Sequence, residues 1–87
     1  MKRQQFMAAL NNAIEKFATI AIMIEGGTNY MTVSIVPHDV DEGERDIIIY
    51  SKMATISIDG SCEPVYNEEE NSYSFENAFS VVTVYFD

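Results

Sequence analysis

The spacing of apolar residues changes once along the chain, near Phe17, and this change constrains the fold more than any other feature. Before it, Phe6, Leu10, Ile14 and Phe17 recur at intervals of four, four and three residues, the period of one face of an α-helix. After it, apolar and polar residues alternate, which is typical of β-strands. The pattern predicts one amphipathic helix over residues 3–16, followed only by strands.

Turn-forming residues divide the rest of the chain. A first strand with isoleucine at every second position ends at Gly26-Gly27, which predicts a hairpin. Its partner, residues 29–36, alternates again and ends at Pro37, because proline has no N–H to donate to a strand ladder.

The middle of the chain contains a polar stretch and a long apolar stretch. Residues 37–46 hold five acids and one base and are expected to form a connection. Residues 47–58 have an apolar face on their even-numbered positions, broken only by Lys52. We expect one long strand there, bulged near Lys52 and Met53.

The last third predicts three further strands. Residues 63–66 and 72–76 form two weaker strands joined through residues 67–71, where a short helical turn is the alternative. Residues 79–86 are apolar on both faces, as is usual for a strand in the interior of a sheet.

Together these elements predict an α+β fold, with an N-terminal helix packed on one face of an antiparallel sheet of about five strands in a two-layer sandwich. With 87 residues, the chain is expected to form a single domain over residues 1–87. Its apolar stretches are too short to span a bilayer as a helix, and polar residues interrupt any N-terminal targeting segment.

The aromatic residues divide into two expected sets. One helix covers only one face of the sheet, so one set is expected to lie partly uncovered and to mark a contact surface or dimer interface. That set is Tyr30, Tyr50, Tyr73 and Phe75. The set expected in the core is Phe6, Phe17, Phe79 and Phe86.

Net charge excludes whole classes of function. The chain has 14 acidic and 5 basic residues, a net charge of −9. A protein that binds nucleic acid directly needs a basic surface to displace counterions, and an anionic membrane repels acidic proteins. We therefore expect neither direct nucleic-acid binding nor membrane binding.

No residue pattern fits a catalytic or metal site. In a calcium loop starting at Asp39, the sixth and twelfth positions should be Gly and Glu, but Glu44 and Tyr50 stand there. His38, the only histidine, is expected to face solvent or to cap a strand end, and with Cys62 it cannot supply a zinc ligand set. We expect no catalytic residue, no metal, no cofactor and no enzymatic activity; a calcium-dependent or enzymatic role is the third alternative.

Cysteine usage bears on the compartment. Cys62 is the only cysteine, so no internal disulfide can form, and small secreted domains usually carry several. A cytoplasmic location is expected, with Cys62 as a small buried filler.

The acidic residues are clustered along the sequence. Residues 17–87 hold 13 acids against Arg45 and Lys52, a net charge of −11. One cluster lies within residues 39–46 and a second within residues 63–76. Repulsion inside such clusters costs stability, which favours a functional role over the alternative that the acids only solubilise the domain.

The clusters 39–46 and 63–76, with the small size, the acidity, the single helix and the antiparallel sheet, give a chain that resembles small acidic bacteriophage inhibitor proteins. These are the DNA-mimicking anti-restriction and anti-CRISPR proteins and the uracil-DNA glycosylase inhibitor. The resemblance is one of overall profile and involves no shared motif. It implies a stoichiometric inhibitor whose carboxylates pair with Arg and Lys in the basic groove of a nuclease or CRISPR effector, with tyrosines as apolar anchors. A phage-encoded protein of this kind would act in the cytoplasm of the host cell.

The residues expected to bind such a partner come from both clusters. They are Asp39, Asp41, Glu42, Glu44, Asp46, Glu68, Glu69, Glu70, Tyr66 and Tyr73. The alternative is a protein–protein interaction module without mimicry, such as an immunity protein or adaptor. A homodimer joined through an edge strand is left open.

Overall fold

Helix α1 spans Lys2–Lys16 in a computed structural model, which describes residues 2–86. Its apolar stripe is buried at Phe6, Leu10 and Ala13, as the sequence period predicts. Lys16 lies in the last turn, where a positive charge interacts favourably with the helix dipole.

The end of α1 is set by Phe17, which has a positive φ of 54°. Phe17 N–H donates to the carbonyl of Ile14 at 3.3 Å, and Ala18 N–H donates to the carbonyl of Ala13 at 3.0 Å. This is the Schellman arrangement, in which glycine is usual at the left-handed position. The left-handed turn directs the Phe17 ring away from the core.

Eight strands follow the helix within residues 2–86, and each pairs antiparallel with its neighbours. They are β1 (Ile20–Gly26), β2 (Asn29–Ile35), β3 (Pro37–Glu42), β4 (Asp46–Ser51), β5 (Thr55–Asp59), β6 (Val65–Asn67), β7 (Ser72–Glu76) and β8 (Val81–Tyr85). The predicted α+β class is confirmed.

The larger sheet has the order β2-β1-β8-β7-β6. Strand β8 lies at its centre, paired with β1 and β7, as its two apolar faces predict. The β1–β2 hairpin turns through two residues, with Gly27 at a φ of +59° that glycine adopts without strain. The inner face aligns Ile22, Val84 and Tyr73 across three strands.

The smaller sheet, ordered β3-β4-β5, corrects the prediction for residues 37–46. Pro37–Glu42 is an edge strand and not a loop. Pro37 is tolerated because it is the first residue of that strand, next to an irregularity in the β3–β4 register. Val40 is half-buried against the core, while its acidic neighbours are exposed.

Residues 47–58 form two strands, so the prediction of one long strand is wrong. The chain reverses at Ser51–Ala54, where Ser51 N–H and the Ser51 hydroxyl donate to the Ala54 carbonyl at 3.0 and 2.7 Å. The predicted apolar face of β4 is also wrong, since Ile47 and Ile49 are the fully buried positions. Three consecutive isoleucines hide the phase of alternation, and this turn contains neither glycine nor proline.

The helix and the inner faces of both sheets contribute to one core in the described residues. Phe6 occupies its centre, with ring centroids 4.8 Å from Phe75, 5.5 Å from Tyr73 and 5.9 Å from Phe86. The edge-to-face arrangement of these rings is the one that aromatic quadrupoles favour.

Several aromatic residues depart from the predicted sets. Phe6 and Phe86 are in the core as expected, but Phe17 and Phe79 are 80% and 89% exposed. Asn77 Oδ1 accepts the N–H of Phe79 at 2.8 Å and so fixes a turn that directs this ring outward. Two residues expected to be partly uncovered, Tyr73 and Phe75, are instead buried under α1. Of the other two, Tyr30 is exposed and Tyr50 is half-buried.

Candidate interaction surface

The smaller sheet has a buried side and an outward side. Ile47, Ile49 and Ile58 fill the buried side and have no exposed surface. Because side chains alternate along a strand, the residues between them point outward. Their outward direction brings together aspartates that are well separated in the sequence.

Four carboxylates and two half-buried apolar side chains share the outward side. They are Asp39, Asp41, Asp46, Asp59, Ile48 and Tyr50, and we call this surface the acidic face. Asp39 lies opposite Tyr50, and Asp41 lies opposite Ile48. Three of the predicted partner-binding residues, Asp39, Asp41 and Asp46, are therefore brought onto one surface.

Asp46 and Asp59 lie opposite each other at the end of this sheet. Ser61 hydrogen-bonds Asp59 through its hydroxyl and through its backbone N–H, the latter at 3.1 Å, and these bonds hold the pKa of the Asp59 carboxyl below its usual value. Arg45 lowers this pKa further by its charge. Asp59 therefore keeps its negative charge at neutral pH, although it faces a second carboxylate.

The predicted residues Glu42 and Glu44, at the end of β3 and in the β3–β4 loop, lie close to Arg3 in the first turn of α1. Arg3 Nε donates to Glu42 Oε2 at 3.1 Å. The same guanidinium donates to the backbone carbonyls of Glu44, Gly60 and Gly43, the first two at 3.0 and 2.6 Å. Glu42 is thus partly neutralised by an internal partner, whereas the Glu44 side chain stays exposed.

Glu63 has a structural role at the same place. Its Oε2 accepts the backbone N–H groups of Lys2 at 3.0 Å and Arg3 at 3.3 Å. These N–H groups have no partner within the helix, and a carboxylate there is also favoured by the helix dipole. Glu63 therefore caps α1 from 60 residues further along the chain.

Glu68, Glu69 and Glu70 lie in the β6–β7 turn, apart from the acidic face. Asn67 fixes this turn by accepting the Glu70 N–H at 3.2 Å and donating to its carboxylate at 3.2 Å. The turn's last residue, Asn71, lines a small cavity of about 120 Å³ with Asn12 and Lys16 of the C-terminal half of α1. At 1.5 Å per residue, Asn12 is about 13 Å along the helix from Arg3. The β6–β7 turn therefore lies beside the C-terminal half of α1, whereas Glu63 of the same predicted cluster lies at the N-terminus of the helix, near Glu42.

The two predicted tyrosines lie under and beside the helix. Tyr73 is 6% exposed, and burial, followed by the effect of Tyr66, raises the pKa of its phenol. Tyr66 is half-buried, its ring 4.8 Å from that of Tyr73 and 5.5 Å from Lys2 Nζ. The prediction of Tyr73 as a contact residue is wrong, because its side chain belongs to the core.

Sequence reasoning missed two surface features. The first is the outward position of Ile48 beside Tyr50; of these two residues, only Tyr50 was expected to lie partly uncovered. The second is an open apolar groove of about 630 Å³ between the end of α1, the end of β2 and the β4–β5 turn. Exposed Phe17 and Met53 line it, and the left-handed backbone of Phe17, which no glycine in the sequence signals, places the Phe17 ring there.

The structure places the remaining candidate ligands on the surface. Among residues 2–86, no three His, Cys, Asp or Glu side chains are arranged to hold a metal ion. His38 is exposed, as expected. Cys62 is exposed as well, so the prediction of a buried filler is wrong.

The fold and the acidic face define a small α+β protein with one anionic sheet surface. The chain matches no protein-family model, no curated protein and no solved structure. Within the described residues, no helix has the length and apolar character needed to cross a bilayer.

Proposed function

We propose that this protein is a stoichiometric inhibitor that occupies the basic nucleic-acid-binding groove of a nuclease or defence complex by imitating nucleic acid. The acidic face is the contact surface. One observation carries the proposal: four aspartates from three strands lie on one outward sheet face together with Ile48 and Tyr50.

Charge spacing on this face suits a groove lined by Arg and Lys. Asp39 and Asp41 point the same way from one edge strand, at a spacing of about 6.6 Å for a rise of about 3.3 Å per residue. Exposed Glu44, in the adjoining β3–β4 loop, extends the negative surface. Carboxylates at such intervals can each accept charge-assisted hydrogen bonds from guanidinium or ammonium groups that would otherwise bind phosphates.

The apolar centre adds binding energy that charge alone does not supply. Tyr50 and Ile48 lie on the middle strand, flanked by Asp39 and Asp41 on β3, and are half-buried in the free chain. Contacts of this type, an aromatic anchor surrounded by polar groups that exclude water, account for most of the affinity in many protein interfaces. The carboxylates would steer association, and Tyr50 would slow dissociation.

Other expectations of the sequence accompany this proposal. The partner is a basic protein, the chain itself does not bind nucleic acid, and it needs no cofactor and catalyses no reaction. The same proposal includes bacteriophage origin and action in the host cytoplasm. It also includes partner binding by Glu68, Glu69 and Glu70.

Capture by the immobilised protein tests the proposal. At low ionic strength it should retain basic nucleic-acid-binding proteins from a bacterial lysate, and duplex DNA should release them. A retained nuclease, once purified, should lose activity in proportion to the added protein and reach full inhibition at a fixed stoichiometric ratio. Retention of only acidic or neutral proteins, or release that DNA does not affect, would contradict mimicry.

Two matched variants separate the acidic face from net charge. Asp39→Asn, Asp41→Asn and Asp46→Asn together remove three charges from the acidic face, and Glu68→Gln, Glu69→Gln and Glu70→Gln remove three from the β6–β7 turn. Inhibition should weaken at least about 100-fold in the first variant, a change of about 2.7 kcal/mol, and much less in the second. Equal losses would show that only net charge matters.

A second candidate is an interaction module without mimicry, which the apolar centre of the acidic face favours. In that case Tyr50→Ala should abolish binding while the triple asparagine variant leaves it nearly unchanged. The opposite ranking supports mimicry.

A further inference from the structure

Strand β2 is an edge strand without charge in a strongly acidic chain. It lies at the end of the larger sheet, with β1 on one side only. Residues 26–38 contain no Asp, Glu, Lys or Arg, although the chain carries a net charge of −9. Edge strands are usually protected from further pairing by charged residues, by proline or by being short. Strand β2 is seven residues long and contains neither a charged residue nor proline.

The free side of β2 presents a regular set of backbone groups. The two-residue turn closes on the pair Gly26–Asn29, and hydrogen-bonded pairs alternate along an antiparallel ladder. The N–H and C=O groups of Tyr30, Thr32 and Ser34 therefore point away from β1. They form a ladder that a further strand can complete.

Exposed apolar side chains surround this ladder. Tyr30 and Met31 are 75% and 58% exposed, and β2 leads directly into Val36, which is 45% exposed. Val36 also lines the 630 Å³ groove, whose wall includes Phe17 and Met53. The uncharged edge and the groove together form one continuous surface at this side of the molecule.

The other edge strands of the described sheets are unsuited to pairing with themselves. Strand β3 carries Asp39, Asp41 and Glu42, and self-pairing would set these like charges against one another. Strand β5 has five residues and ends in Asp59, and β6 has only three residues. Two copies that each carry a charge of −9 can approach closely only through a neutral surface, and β2 supplies it.

We propose that two copies of this chain pair antiparallel through β2, about a twofold axis at Thr32, to form a continuous ten-stranded sheet. Thr32 then lies opposite Thr32 of the second copy, and Met31 lies opposite its Val33. A seven-residue strand spans about 24 Å. Pairing of this strand alone buries less surface than the roughly 1,200 Å² of a stable interface. The groove side chains supply the remaining contact, and the dimer is weak, with a Kd on the order of micromolar.

Sedimentation over a range of protein concentrations and ionic strengths tests this dimer. Dimerisation should strengthen as salt screens repulsion between the two copies, whereas binding to a basic partner weakens with salt. The two proposals therefore fail independently. A monomer at every concentration and ionic strength would overturn the dimer and leave the inhibitor proposal standing.

The variant Thr32→Glu places two like charges face to face at the twofold axis and should raise the dimer Kd at least about tenfold. Thr55→Glu adds the same charge at an exposed position of β5 and should leave the Kd unchanged. Circular dichroism checks that both variants fold. Equal effects of the two variants would overturn the proposal.

A cross-linking variant keeps the test decisive even if Thr32→Glu does not fold. Thr32→Cys in a Cys62→Ser background should give a covalent dimer with a short bismaleimide, because the two residues 32 face each other. Thr55→Cys in the same background should not. No cross-linked dimer at residue 32, or equal yields at both positions, would contradict pairing through β2.

Discussion

Arg3 Nε lies 3.1 Å from Glu42 Oε2, and this ion pair joins the first turn of the helix to the end of the first strand of the smaller sheet. The other guanidinium nitrogens donate to carbonyl oxygens of Gly43, Glu44 and Gly60. The guanidinium therefore ties α1 to two loops of the smaller sheet. These contacts position the β3–β4 loop, which carries Glu44 beside the acidic face.

Replacement of Arg3 should cost far more stability than replacement of Glu42. Arg3→Ala leaves three carbonyl oxygens without their donor and should lower the free energy of unfolding by about 2–3 kcal/mol. Glu42→Gln removes only a partly exposed ion pair and should cost less than about 1 kcal/mol. Urea unfolding of both variants measures this difference, and equal costs would contradict the assigned role of the carbonyl contacts.

Phe17→Gly should stabilise the protein by about 0.5–1 kcal/mol, even though it removes a large apolar side chain. The Phe17 ring is 80% exposed, so little burial is lost, and glycine relieves the left-handed backbone at a φ of 54°. Phe17→Ala keeps the Cβ strain and should be nearly neutral. Thermal unfolding measures both variants, and destabilisation of Phe17→Gly relative to Phe17→Ala would contradict strain at this position.

The parts of the fold that follow from the sequence are those where a single periodicity dominates. The helix stripe at Phe6 and Leu10 and the interior strand β8 are of this kind. The prediction failed where phase was hidden, as in Ile47-Ile48-Ile49, or where a turn is made by side-chain hydrogen bonds, as at Ser51 and Asn77. These segments contain no glycine or proline, so the sequence shows no turn signal there.

The candidate surface was predictable only in part, for a related reason. Clustering in the sequence indicates which acids are close along the chain, but the direction of each side chain depends on strand phase. Asp39 and Asp41 share a face because they are two residues apart in a strand, whereas Glu42 points to the other side and meets Arg3. Asp59 joins the face through its register with Asp46, which no local pattern shows.

Truncation should cost much more stability at Tyr73 than at Tyr50. Tyr73→Ala removes a ring packed against Phe6 and Phe86 and should cost about 3–5 kcal/mol of stability. Tyr50→Ala removes a half-buried ring from the outward side and should cost less than half as much. Urea unfolding measures both, and comparable losses would show that Tyr50 also belongs to the core.

Asp59 should make the stability of the protein depend on acid pH. Its pKa is lowered in the folded state by hydrogen bonds from Ser61, so the ionised form stabilises the fold above the unfolded-state pKa of about 3.9. That contribution is lost as pH falls through the lower, folded-state pKa. The melting temperature of the unmodified protein should therefore exceed that of Asp59→Asn near neutral pH, and the difference should shrink as pH falls below about 4. Ser61→Ala removes the hydroxyl donor and should reproduce part of the loss, whereas Ser57→Ala alters another exposed hydroxyl, two residues before Asp59 on β5, and should not. A melting-temperature difference that stays constant from neutral to acid pH would mean that the Asp59 carboxylate contributes nothing to the fold through its charge.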